Sequence, residues 1–140
     1  MSEKIILFDL FDTILDKVWF DYDKGLTYLA DIYFEGKREE LKQYSSEYRE
    51  CFMLDRNETQ REKSFIDQLR FYENKFGKPL SSSREEIEWE VFSVCREERL
   101  AVETKSLLNY LSERGYTLAV LSNSIFSANT LKRYMEKFGI

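Results

Sequence analysis

At 140 residues, 43% of them apolar and 16% aromatic, the chain carries enough nonpolar material for a folded core and is not a disordered tail. Its net charge of -5 and pI near 5.0 exclude the basic surface that nucleic acid or an anionic membrane would require. It has no histidine, which rules out Ser-His-Asp and Cys-His nucleophilic sites and most zinc sites, and leaves carboxylate chemistry as the simplest option.

The first element is the apolar run Ile5-Ile6-Leu7-Phe8 within residues 4–9. Because it is continuous, it predicts a strand buried on both faces. Asp9 ends the run too early for a signal-peptide core or a membrane span, so a soluble cytoplasmic protein is expected. Beyond Asp12-Thr13 the pattern turns helical. Tyr22, Leu26, Leu29 and Tyr33 share one face, with Gly36 placed to stop the helix, and Leu41, Tyr44, Tyr48 and Phe52 repeat the rhythm. A third helix is expected to start at Asn57 as N-cap and to run through Phe65, Leu69, Tyr72 and Phe76 to Gly77-Lys78-Pro79.

Ser83 with Glu86 predicts a capping box for a fourth helix carrying Ile87, Val91 and Val94. Its acidic residues Glu85, Glu86, Glu88 and Glu90 read as a solvated helix start that complements the helix dipole. Cys51 and Cys95, lone residues in helical segments, are expected to be buried structural thiols. Leu107, Leu108 and Leu111 mark a short helix ended by Arg114-Gly115, a strand follows at 116–121, and Leu131, Tyr134, Met135 and Phe138 mark a closing helix. The expected fold class is α/β. Strands 4–9 and 116–121 lie parallel in a core formed by residues 1–16 and 99–140, and a four-helix block at 17–98 is inserted between them.

A carboxylate at the C-terminal tip of a buried strand is a poised nucleophile or metal ligand, and Asp9 opens Asp9-Leu10-Phe11-Asp12-Thr13 in that position. The second strand ends in Ser122-Asn123-Ser124, which puts hydroxyls where a neighbouring parallel strand would stop. Together the two strand ends resemble the first two motifs of the haloacid dehalogenase superfamily, strand-Asp-x-Asp-x-Thr and strand-Ser/Thr, the latter often followed by Asn. Asp9 matches the nucleophile, Thr13 the threonine and Ser122-Asn123 the second motif; Phe11 departs from the pattern by standing where the second Asp belongs.

The resemblance implies a partial Rossmann-like core with a helical cap. It also implies a hydrolase that acts through Asp9 on a small phosphorylated or otherwise activated metabolite. Ser122, Asn123 and the turn at Leu10 and Phe11 would hold the transferring group. A phosphatase of this family would bind Mg²⁺ through Asp9 and the Phe11 carbonyl, whereas a dehalogenase-like enzyme would need no metal. An aromatic at position 11 resembles the dehalogenases. Asp12 stands where the family commonly has Gly, and it either takes the unusual backbone angles of the turn or supplies the displaced acid. The family's third-motif Lys and fourth-motif acids have no segment left before Ile140. The expectation is therefore an incomplete enzyme, inactive alone, which self-associates or is completed by further core strands. The alternative is a catalytically silent module of the same descent whose helical layer binds a partner.

Overall fold

The computed structural model describes residues 3–140, and among these it contains six helices and four strands, a mixed α/β arrangement. The residues divide into two compact units.

The first unit comprises residues up to Phe20, Arg96–Ser124 and Arg133–Ile140. Its parallel sheet pairs β1 (Ile5–Phe8) with β4 (Thr117–Val120), Ile5 opposite Thr117 and Phe8 opposite Val120. Its antiparallel sheet pairs β2 (Leu15–Phe20) with β3 (Arg96–Leu100). Neither β2 nor β3 is expected from the sequence, which places residues 17–98 wholly in helices and loops. Buried Leu10, Ile14 and Leu15 form the apolar centre, and α5 (Thr104–Glu113) leads into β4.

The expectation that the first strand is buried on both faces is corrected. Ile5 and Leu7 are 58% and 62% exposed, and with Thr117 and Ala119 they make one face of a two-stranded sheet, while Ile6, Phe8 and Leu118 make the other. Parallel sheets are usually covered on both faces, so this one should attract nonpolar probes. A hydrophobic dye is expected to bind the protein, and Ile5→Thr with Leu7→Thr should cut its fluorescence severalfold while shifting stability by less than about 1 kcal/mol. Undiminished fluorescence in the double variant would locate the dye elsewhere.

The second unit comprises Asp21–Cys95 and Ile125–Lys132. Four helices fill the long stretch: α1 (Tyr22–Tyr33), α2 (Arg38–Thr59), α3 (Phe65–Phe76) and α4 (Arg84–Val94). The unit takes Asp21–Cys95 as its long stretch and leaves β2 and β3, which pair on either side of it, to the first unit. It also takes in the start of α6 (Ala128–Glu136). Asp21 caps α1 by accepting the Asp23 amide at 3.0 Å. Asn57 caps nothing; it lies inside α2, which runs on to Gln60 in the left-handed region. The cap of α3 is Ser64, locked with Asp67 in a reciprocal capping box, and Gly77 at φ 62° ends the helix. At α4 the Ser83 hydroxyl accepts the Glu86 amide at 3.3 Å.

Close packing of α1 on α4 depends on Gly25, where a Cβ would come within 3.0 Å of Val91 Cγ1 and 3.3 Å of the Cys95 Cβ. Cys95 is buried there as expected, whereas Cys51 is exposed on α2. Phe65, Phe92 and Phe126 form the aromatic centre, with ring centroids 5.3 Å apart for Phe65–Phe126 and 4.9 Å for Phe92–Phe126.

The acidic stretch of α4 is not a solvated face throughout. Glu88 is fully buried, and it accepts hydrogen bonds from the Ser127 amide at 2.9 Å, the Ser127 hydroxyl and the Thr130 hydroxyl at 2.8 Å. Glu90 accepts from the phenols of Tyr28 at 3.1 Å and Tyr33 at 2.6 Å. Burial, followed by that bond to Glu90, holds the Tyr33 phenol above its ordinary pKa. No helix among the described residues is long and apolar enough to cross a membrane.

Candidate functional site

Parallel pairing of β1 with β4 puts their C-terminal ends side by side, and the Leu121 amide extends the ladder by donating to the Phe8 carbonyl at 2.9 Å. Asp9 leaves one strand at that edge. Ser122 and Asn123 leave the other, one residue past Leu121. This is the strand-end location where open α/β sheets place their ligands.

The turn after Asp9 is closed by its own backbone. The Ile14 and Leu15 amides donate to the Leu10 carbonyl at 3.0 and 2.9 Å, and the Asp12 amide donates to the Leu15 carbonyl at 2.8 Å. Asp12 sits at φ 58°, the left-handed region that Asp tolerates better than most residues, and its side chain is exposed. The geometry accounts for Asp12 as the residue that bends the chain. Thr13 is exposed beside it, and Phe11 is half-buried and bridged to Leu15.

Asp9 is exposed, and its Oδ1 accepts the Leu10 amide at 2.9 Å. That bond fixes the carboxylate's direction and commits the Leu10 amide to Asp9, so this amide is not the one that would hold a transferring group. The Leu10 side chain is fully buried and serves packing. The bond is local to the turn and needs neither a ligand nor a catalytic role to explain it.

Among the described residues no three Asp, Glu or Cys side chains gather into a metal-binding group. Mg²⁺ demands near-octahedral oxygen ligation, commonly one or two carboxylates with substrate phosphates and water.

A cluster beside the turn was not foreseen. The Arg96 guanidinium carbon lies 4.1 Å from the centroid of the Phe11 ring and 5.2 Å from that of Phe20. Arg96 Nε donates to Glu98 Oε1 at 2.9 Å, and the Tyr134 phenol donates to Glu98 Oε2. Burial, reinforced by that bond, pushes the Tyr134 phenol well above its ordinary pKa. Only the spacing of Arg96 and Glu98 at strand period could have signalled it, and a five-residue segment with four charges reads more readily as the end of a helix.

An open hollow of about 530 Å³ lies along α1, lined by Asp21, Asp23, Lys24, Thr27, Tyr28, Asp31 and Val94. It includes none of the strand-end residues.

The fold and strand ends define a mixed α/β protein with a carboxylate and a hydroxyl at adjacent parallel strand ends. No protein-family model matches the chain, and no curated protein matches its sequence.

Proposed function

We propose that this chain carries the nucleophile side of a haloacid dehalogenase-type hydrolase site, with the helical unit as its cap and a small phosphorylated or otherwise activated metabolite as substrate. The observation that carries this reading is the in-register parallel pairing that brings Asp9 and Ser122-Asn123 to one sheet edge. Asp9 attacks phosphorus or a halogen-bearing carbon, the leaving group departs with the bonding pair, and water regenerates the carboxylate. Ser122 and Asn123 donate hydrogen bonds to the group being transferred. Where the substrate is a phosphate, an Mg²⁺ ion shared by Asp9, the Phe11 carbonyl and that phosphate would neutralise its charge.

The test is a single turnover in ¹⁸O-water with an aryl phosphate and with a 2-haloacid, followed by mass spectrometry of the Asp9 peptide. An acyl phosphate on Asp9 is hydrolysed at phosphorus and leaves its label in the released phosphate. An alkyl ester is hydrolysed at the carboxyl carbon and leaves its label in Asp9. Neither adduct nor label, in the folded protein and in its form completed by further core strands, would overturn the reading. That outcome would favour the silent module, for which the exposed Met53 and Leu54 on α2 offer a contact surface.

A further expectation follows from Phe11. If Asp12 only shapes the turn, no acid at position 11 protonates an alkoxide, so a completed enzyme should prefer aryl phosphates, acyl phosphates and halides. Phe11→Asp should raise alkyl relative to aryl phosphate hydrolysis by about 10²-fold, the lower end of general acid catalysis, a ratio from which any loosening of the turn cancels, and Asp12→Asn should change little. A rate series over leaving groups of rising pKa checks this. A dependence that steepens only in Asp12→Asn would make Asp12 the acid.

A further inference from the structure

We propose that Arg96 is a positioning residue for the Asp9–Thr13 turn, its guanidinium holding the Phe11 ring while Glu98 and Tyr134 hold the guanidinium. The contact at 4.1 Å is close for a planar cation over an aromatic face. The orientation of the plane is set from behind. Glu98 is 1% exposed and uses one oxygen on Arg96 Nε and the other on the Tyr134 phenol, so the carboxylate that aims Arg96 is itself fixed at both ends.

A buried Arg–Glu pair is a weak source of net stability, because desolvation of both charges offsets their attraction. Its distinct contribution is geometric: a rigid, charge-compensated plane against the Phe11 ring, with Phe20 farther off at 5.2 Å. What the ring anchors is the turn. Phe11 lies between Leu10, whose amide orients Asp9, and Asp12 at φ 58°, a backbone state that persists only where its surroundings hold it. The consequence for catalysis rests on the hydrolase reading; the mechanical role does not.

The experiment compares Arg96→Met, Arg96→Lys, Phe11→Leu and the Arg96→Met/Phe11→Leu pair by amide hydrogen exchange and by the ¹⁵N resonance of Arg96 Nε–H. Exchange at Asp12, Ile14 and Leu15 should accelerate by about tenfold in Arg96→Met and in Phe11→Leu, within what one cation–π contact supplies. The double variant should be no faster at these amides than Arg96→Met, which already breaks the contact with Phe11. Arg96→Lys keeps the charge without the plane and should fall between. Phe11→Leu should shift the Arg96 Nε–H resonance by removing the ring current. Thr117 and Leu121, whose amides bond the Lys4 and Phe8 carbonyls, should not change.

Unmoved turn amides, or an equal rise at Thr117 and Leu121, would overturn the proposal. If Arg96→Met fails to fold, Phe11→Leu and Arg96→Lys still decide it. An unlabelled Asp9 beside the expected exchange pattern sinks only the hydrolase reading, and a labelled Asp9 beside unmoved turn amides sinks only the role of Arg96.

Discussion

Asp9→Asn is expected to lower any turnover, in this chain or in its form completed by further core strands, by about 10³- to 10⁶-fold while leaving the fold intact, the loss that follows removal of a covalent nucleophile. Asn keeps the shape of the side chain, and its amide oxygen can still accept the Leu10 N–H that Asp9 Oδ1 accepts at 2.9 Å. What it lacks is the charge and the second equivalent oxygen. Because Asp9 is exposed and the turn's remaining bonds are backbone to backbone, stability should move by less than about 0.5 kcal/mol. The measurement pairs steady-state rates on an aryl phosphate and a 2-haloacid with urea unfolding of the same samples. Equal rates in a folded Asp9→Asn protein would show that the carboxylate only caps its turn. The control is Thr13→Val, which should reduce the rate far less if Thr13 supports the turn and leaves the electrophile to Asp9.

Local signals made several elements readable. The helical stripes of α1 and α3 bury Leu26, Leu29, Leu69 and Tyr72 as their spacing predicts, and β1 and β4 pair in parallel where two apolar runs stood far apart in the chain. The strand-end placement of Asp9 and Ser122 follows from those runs alone. What escaped is held by tertiary contacts. β3 reads Arg-Glu-Glu-Arg-Leu and becomes a strand only because β2 lies alongside it, with Trp19 donating to Glu97 at 2.7 Å across the pair. Asn57 is a good cap by type, but the helix in progress had nothing to stop it there, and the capping box at Ser64 and Asp67 was the better-specified start. The Arg96–Phe11 contact joins residues from the two ends of the long insertion, a relation that no window of sequence contains.

Glu88 is the largest departure of this kind, and Glu88→Ala is expected to destabilise the helical unit by about 2–5 kcal/mol. Two effects add. Truncation leaves a cavity where a fully buried side chain stood, and it strips the acceptor from the Ser127 amide and from the Ser127 and Thr130 hydroxyls. The carboxylate also sits at the start of α6, where the helix N-terminus favours a negative group. Glu88→Gln keeps the volume and can set its amide nitrogen against the Ser127 and Thr130 hydroxyls, which accept as well as donate, so it should cost less than Glu88→Ala, about 1 kcal/mol. Glu85→Ala, on the exposed part of the same acidic run, should stay within about 0.5 kcal/mol. Thermal and urea unfolding of the three variants orders them. Ser127→Ala removes one of the donors in advance, so adding Glu88→Ala to it should cost less than Glu88→Ala alone costs in the parent. Additive losses would mean that the cavity, and not the hydrogen bonds to Ser127, carries the effect. A Glu88→Ala protein as stable as the parent would mean that the carboxylate is not what ties the start of α6 to α4.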